Sequence, residues 1–415
     1  MKKLISKLLL FPILLSFCAC SKEKPEETGP VVPAQLVATE EDRAALDATY
    51  AGKTLRYGEM HNHTKSSVRA DGQRTLQQWK DEMTRLKMDF AFILDHEQSQ
   101  HMYHSDWDDS FFIGGTEPGT VITDSKARQK NLDYGLLFSD AAALESLIEK
   151  WSHKFKIYRS AEEHAKYTPH LPGIFFPSVN FTTEEFGQFA EDAYAAGGLL
   201  VHLHPRASHS YLMSDDPLDY YFADYTGMEI TTGFNGNMMF PSNEEAYQIW
   251  DALLKAGKKV WATAGSDSHR LPDYSGLTAM YTTNDHKDDY MATVRAGNMA
   301  PGWIGIRMNI NGTAMGGETD FTGQRLQFSV GDIYNPGVTH TYDRGELPYI
   351  KGHSYSVELY DETGLLMEAE IDPLSMNYFA FDCNADAKYY RVVVWDSSAR
   401  IRIGVSNPIW NTAAG

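Results

Sequence analysis

His61 and His63 stand two residues apart in "YGEMHNHTKSS" (residues 57–67), just after a stretch that reads as a strand. Alternate residues of a strand point to the same side, so both imidazoles can face one point in space. Imidazole and carboxylate are the natural ligands of zinc, manganese or iron(II). The same residue types recur further along, with Asp71 in "ADG", Asp95-His96 in "LDHE" and Glu117 in "GGTE". His204 follows in "LHPR", then Asp267 and His269 in "GSDSH". Two divalent ions about 3.5–4 Å apart would activate a water and clamp both oxygens of an in-line displacement. A stray His-x-His can equally be two solvated surface residues, so the metal reading depends on the other stretches supplying ligands.

Something must carry these residues to one place. "TLQQWKDEMTRLK" (75–87) has Leu76, Trp79, Met83 and Leu86 at helical spacing. The strand-like "MDFAFIL" and then Asp95-His96 follow it. "TTEEFGQFAEDAYAAGG" offers Thr182 and Glu185 as a capping box before the strand "LLVHLH" and Pro205. "SNEEAYQIWDALLKAG" offers Ser242 and Glu245 before the strand "KKVWATAG" and "SDSH". Helix and strand thus alternate three times, each strand ending in His or Asp, which predicts parallel βα units. Barrel-type α/β enzymes assemble their sites at such strand ends. Residues 98–181 fit the alternation poorly and read as an insertion near the site mouth, with a helix around 140–152. From about residue 303, runs such as "RLQFSVGD", "SYSVELYDETGLLMEAEI" and "YYRVVVWDSSARIRIGVS" predict a small β-sandwich.

In this order and context the stretches from about 54 to 270 resemble the motifs of the PHP (polymerase and histidinol phosphatase) superfamily. The ending "GVSNPIW" resembles the tail of exported PHP proteins related to carbaryl-hydrolase-like (CehA/McbA) metallohydrolases. The resemblance implies an α/β fold, a distorted (β/α)7 TIM-like barrel at 46–302, with the all-β sandwich following at 303–415. It also implies two or three divalent metal ions: zinc, manganese or iron. His61, His63, Glu117 and Asp267 would hold one, and His96 and His204 a second with Glu117 bridging. Asp71 and His269 match positions that complete a third site or assist proton transfer. The spacing from His63 to Asp71 is longer than the family's, and Asn180 is the rival for the bridging position, where an amide would bridge poorly. His202 reads as a hydrogen-bonded core residue, and His101 and His104 as surface residues of the insertion. Asp95 either orients a ligand or caps its strand.

Four cations lie near these stretches. Arg206, directly after His204-Pro205, is expected to hold an anionic oxygen bidentately. Lys65 and Arg270 read evenly as site cations or solvated charges, with Lys65 carried as a catalytic candidate, whereas Arg69 reads as a surface charge. The expected activity is therefore a metal-dependent hydrolase, foremost a phosphoesterase using a metal-activated water. Hydrolysis of carbamate, ester or amide bonds on the same ions is the alternative, as is a non-catalytic surface binding lipoprotein.

"MKKLISKLLLFPILLSFCAC" has a basic start, a short apolar run and a lipobox-like "FCAC", so residues 1–19 read as a lipoprotein signal peptide and Cys20 as a lipidated N-terminus. Cys383 would then be the only thiol in the mature body. Residues 20–45 read as a flexible tether. Ser21 after Cys20 points to the outer membrane of a Gram-negative bacterium, periplasmic or surface-exposed. Losing the three lysines of residues 1–19 takes the side-chain charge from −19 to −22. A body this acidic is repelled by nucleic acid and anionic lipid. The expected partners are a small-molecule or glycan-linked ester and, through the lipid alone, a membrane.

Overall fold

The computed structural model describes residues 36–67, 71–124, 132–154, 179–206, 214–233, 237–272, 274–338 and 348–414. The signal peptide, Cys20, most of the tether and Arg69 lie outside the described residues. Eleven strands form the first sheet: β1 (Thr54–Asn62), β2 (Phe90–Ile93), β3 (Phe112–Thr116), β4 (Gly119–Ile122), β5 (Leu132–Phe138), β6 (Val179–Phe181), β7 (Leu199–His202), β8 (Thr226–Thr232), β9 (Val260–Gly265), β10 (Leu277–Thr282) and β11 (Met299–Pro301). Nine of them follow the path β11-β10-β1-β2-β3-β5-β7-β8-β9, and β4 pairs with β5 and β6 beside it. The β9 end of that path curls back onto the end of β1. The Asp267 N–H donates to the His61 carbonyl at 2.9 Å and the His63 N–H to the Ser268 carbonyl at 3.0 Å. The result is a nearly closed, barrel-like mixed α/β sheet.

β1-β2-β3 and β7-β8-β9 run parallel. Between them β5 runs antiparallel to both β3 and β7. Strands β3 and β5 both belong to the stretch 98–181. The chain reverses there with no crossover helix among the described residues, which is why the alternation of helix and strand lapses in the sequence.

The helices form where the sequence pattern places them. Leu76–Leu86 buries Leu76, Trp79, Met83 and Leu86 completely; the Thr75–Gln78 capping box opens it and Lys87, at φ 56°, closes it. The Thr182–Glu185 capping box forms as expected. The Ser242–Glu245 box does not. That helix starts at Pro241, whose missing N–H costs nothing in a first turn. Ser242 therefore falls inside the helix, and Glu245 is available to pair with Arg206 at 2.7 Å. Among the described residues no helix is long and apolar enough to cross a membrane.

Ten further strands follow: β12 (Gly305–Ile310), β13 (Thr313–Ala314), β14 (Glu318–Thr319), β15 (Arg325–Gly331), β16 (Tyr355–Asp361), β17 (Gly364–Ile371), β18 (Asn377–Asp382), β19 (Tyr389–Asp396), β20 (Ile401–Val405) and β21 (Ile409–Asn411). One sheet has the order β13-β12-β15-β18, the other β14-β21-β19-β16-β17 with β20 on β19. Phe328 and Val330 of the first sheet share a buried apolar cluster with Val357, Leu359, Val392 and Val394 of the second. The same cluster takes in Trp79, Ala91 and Ile93, so the core runs from sandwich into barrel.

Candidate metal centre

At one mouth of the barrel the chain converges a buried set of imidazoles and carboxylates. His61 ends β1 and His63 follows it; His96 follows β2, Glu117 follows β3, His204 follows β7, and Asp267 and His269 follow β9. Asp133 joins them from the first turn of β5. Because β5 is antiparallel to its neighbours, its beginning lies at the end where their C-termini lie.

Among the described residues the donor atoms fall into three groups, each within 4.8 Å: His61, His63, Glu117 and Asp267; Glu117, Asp133 and His204; and His63, Asp71, His96 and His269. Glu117 joins the groups. Its Oε2 lies 3.3 Å from His61 Nε2, 3.1 Å from His63 Nε2 and 3.3 Å from His96 Nδ1, while Oε1 lies 3.4 Å from His204 Nε2. Asp267 Oδ1 is 3.1 Å from His63 Nε2 and 3.5 Å from His61 Nε2. Asp71 Oδ2 reaches His269 Nε2 at 2.9 Å and His96 Nε2 at 3.3 Å. Asp71 thus falls within the constellation despite its unusual spacing from His63.

The set fits divalent cations. Nε2 of His61 and Nε2 of His63 face each other at 3.2 Å beside two carboxylates, so lone pairs converge on a space that calls for positive charge. Burial works to strip the proton from His61, yet Glu117, Asp267 and Glu229 push its pKa well above the ordinary value. Burial likewise opposes the charge on Glu117, and His96, His61 and His204 overcome it to hold the carboxyl well below its usual range. His204 is pushed up to about 9, against its burial, chiefly by its bond to Glu117 and the charges of Asp267 and Asp133. A divalent ion would supply this positive charge without protons.

Surrounding groups hold the donors in place. Glu229, on β8, accepts the His204 backbone N–H at 2.7 Å and the Thr232 hydroxyl at 3.0 Å through Oε2. Its Oε1 lies 3.5 Å from His61 Nδ1, which leaves His61 Nε2 for the centre. Gly265 is required by the approach of β1. A Cβ there would overlap that of His61 and lie 2.6 Å from Glu229 Oε1. Asp95 ties the loop after β1 to the loop after β2, accepting the Thr64 N–H at 2.6 Å, the Thr64 hydroxyl at 3.0 Å and the Ser67 hydroxyl at 2.6 Å. The chain turns at the mouth through left-handed backbone at Glu97 (φ 53°), His204 (φ 25°) and Asp267 (φ 52°), a conformation that ordinary residues enter only under constraint.

The grouping differs from the one expected. His96 sits with Asp71, His63 and His269, and the partner of Glu117 and His204 is Asp133. Asp133 had no signal in the sequence, because it stands at the start of a strand. Glu229 lies inside β8, a buried and Thr-rich strand, rather than at its end, and was equally silent. His101 is fully buried, beside Ser67 and Asp95, rather than on the surface; its partners come from two other strand ends. His202 is buried as expected but lacks the expected hydrogen bonds: neither ring nitrogen has a partner among the described residues, and it stacks on Tyr134. Burial and the His204 charge drop its pKa to about 3. Asn180 is exposed. Arg206 gives Nε to Glu245 at 2.7 Å and a terminal nitrogen to the Tyr220 hydroxyl at 3.0 Å. Lys65 and Arg270 are exposed.

No family model matches the chain, and no curated protein does. Solved structures with a similar chain course include a protein from Bifidobacterium adolescentis assigned as a metal-dependent phosphoesterase (17% identity, TM-score 0.34, covering 57% of this chain and 95% of that one). An amidohydrolase from Chromobacterium violaceum is similar at 17% identity and TM-score 0.34, covering 51% and 87%. The lesion-specific endonuclease Q of Pyrococcus furiosus is similar at 14% identity and TM-score 0.39, covering 58% and 56%. At these scores the likenesses assign no family, and the functional reading stands on the geometry.

Proposed function

We propose that the chain is a metal-dependent hydrolase of phosphate esters, built on a distorted (β/α)7-type barrel of the PHP superfamily. One observation carries the reading: Glu117 turns one carboxylate oxygen to His61, His63 and His96 and the other to His204, so a single buried side chain joins separate donor sets. Divalent ions, when bound, would supply Lewis acidity at the scissile group and acidify a nucleophilic water. His61, His63 through Nε2, Glu117 and Asp267 would hold one ion, Glu117, Asp133 and His204 another, and Asp71, His96 and His269 a third. Buried Glu229 meets the His204 N–H and the His61 ring, and buried Asp95 ties together the loops that carry His63 and His96. His269, bonded to Asp71 and about one-third exposed, is placed to pass protons between the centre and solvent.

One observation favours the second reading, hydrolysis of a carbamate, carboxylic ester or amide. A phosphate would have to draw Arg206 away from Glu245 and Tyr220, and Lys65 is exposed. A neutral substrate needs no such clamp. The formal charge of −19 argues against nucleic acid as substrate. Anchoring through a lipid on Cys20 belongs to the same proposal, and a Cys20→Ala chain should leave the membrane fraction.

The test is metal-depleted protein reloaded with Mn²⁺ or Zn²⁺, metal content by elemental analysis, and a panel of phosphomonoesters, phosphodiesters, aryl esters and carbamates. An abasic DNA duplex, bound by endonuclease Q in one neighbouring structure, belongs in the panel as the check on nucleic acid. Turnover lost in His61→Ala together with metal is the expected result. No turnover of any substrate, with metal bound normally by His61→Ala, would end the proposal.

A further inference from the structure

We infer that the C-terminal sandwich is a working part of the metal centre: Asn407 stands in for the strand that β9 lacks on its open edge, and so positions Asp267. This rests on the metal-binding reading above.

Successive residues of a parallel strand direct their N–H and C=O to opposite edges, so every second residue faces the same edge. β9 pairs with β8 along one edge, and the other edge faces the seam of the barrel. Along that edge side chains replace a partner strand. The Val260 carbonyl accepts from Trp250 Nε1 at 2.9 Å. The Ala262 N–H donates to Asn407 Oδ1 at 2.6 Å, and its carbonyl accepts from Asn407 Nδ2 at 3.2 Å. The Ala264 carbonyl accepts from the Thr278 hydroxyl at 3.2 Å. Two residues past β9, the Asp267 N–H meets the His61 carbonyl, and the two ligand-bearing strand ends join.

Asn407 is fully buried and also donates to the Met299 carbonyl of β11 at 3.2 Å, so one amide spans both sides of the seam. Only a carboxamide offers the donor and acceptor of a peptide group in one short side chain. The sandwich fixes its place. The Ser406 hydroxyl accepts the Val392 N–H at 2.8 Å, and the Trp303 N–H donates to the Ile403 carbonyl at 2.7 Å. The sandwich also grips the helix that leads into β9. Buried Arg391 and Arg402 pair with Asp251 and Glu244, each at 2.5 Å, and Arg402 lies 3.6 Å from the centre of the Tyr247 ring. The "SNPIW" stretch is thus part of the barrel's closure.

The test compares full-length Asn407→Ala with Val357→Ala, a cavity in a buried apolar cluster that includes neither Ala262 nor Met299. Melting of the metal-free proteins measures stability, titration with Mn²⁺ measures affinity, and hydrogen exchange follows residues 260–269. Asn407→Ala should bind Mn²⁺ at least tenfold more weakly and exchange faster at 260–269. Val357→Ala should melt earlier but keep wild-type affinity. Equal Mn²⁺ affinity for both variants would overturn the inference. If Asn407→Ala does not accumulate, Asn407→Asp, which keeps the acceptor and loses both donated bonds, is read against the same two outcomes. If wild-type protein binds neither Mn²⁺ nor Zn²⁺, the hydrolase proposal fails, and exchange at 260–269 alone decides this one.

Discussion

Replacing Glu229 with Gln should weaken divalent-metal binding about 10–100-fold without unfolding the chain. The carboxylate is 1% exposed and acts only as an acceptor, toward the His204 N–H, the Thr232 hydroxyl and the Nδ1 edge of His61. An amide of the same shape has one acceptor oxygen. If that oxygen keeps the His204 N–H at 2.7 Å and the Thr232 hydroxyl at 3.0 Å, the NH₂ group faces His61 Nδ1. For Nε2 to present a lone pair to the centre, Nδ1 must carry the proton. Two donors then oppose each other, and the ring is driven to the tautomer whose Nε2–H points at the metal position. The reverse amide orientation loses two hydrogen bonds and is worse. Partners of metal-binding imidazoles typically contribute a factor of about 10–100 in affinity, or about 1.4–2.8 kcal/mol. Calorimetric titration of metal-depleted wild type and Glu229→Gln with Mn²⁺, with matching circular dichroism spectra, measures it. Affinity within threefold of wild type would refute the assignment of Glu229 as the group that orients His61.

Gly265→Ala should cost about 1–3 kcal/mol of stability and lower metal content, because its Cβ would lie 2.8 Å from the His61 backbone nitrogen; normal metal content on elemental analysis would contradict this. Chelation should lower the melting temperature by a few degrees, since an ion at 100 times its dissociation constant adds about 2.7 kcal/mol, and an unchanged melting curve would count against a resident ion. Burial acts to raise the pKa of Asp108, but bonds from Lys80 and Ser110 win and hold it at about 2. Unfolded chains therefore take up this proton first, so the contribution of Asp108 is complete above about pH 4 and lost between about pH 4 and 2. Asp108→Asn should flatten that part of the acid-unfolding curve, and superimposable curves would dismiss it. Arg206→Ala should leave Mn²⁺ affinity unchanged, because its bonds go to Glu245 and Tyr220; a tenfold loss would place the guanidinium closer to the centre than its partners imply.

Much of this was legible because parallel βα units write themselves into sequence twice, as an apolar helical stripe and as a polar residue at the end of an apolar strand. The stripe Leu76, Trp79, Met83 and Leu86 and the strand ends His96, His204 and Asp267 all follow that rule. Where the chain reverses, the rule has nothing to act on. Strands β3 and β5 run antiparallel, with no crossover helix between them among the described residues, so no stripe marks them, and 98–181 read as an insertion although both strands lie in the sheet path.

The same reversal explains why one donor escaped notice. A search for ligands at the C-termini of strands passes over Asp133, since β5 enters the sheet at the mouth instead of leaving it there. Its neighbour Tyr134 faces His202 across the β5–β7 ladder, and the Leu203 N–H bonds to the Asp133 carbonyl at 3.1 Å, so the ladder sets Asp133 beside the chain that carries His204. Register therefore builds the Glu117–Asp133–His204 group, and register is a property of pairing that no single strand contains. Glu229 and Asn407 are hidden for a related reason. Each is buried and joins separate parts of the chain, Glu229 the His204 backbone and the His61 ring, Asn407 the Ala262 and Met299 backbones, and only the folded barrel brings those parts together.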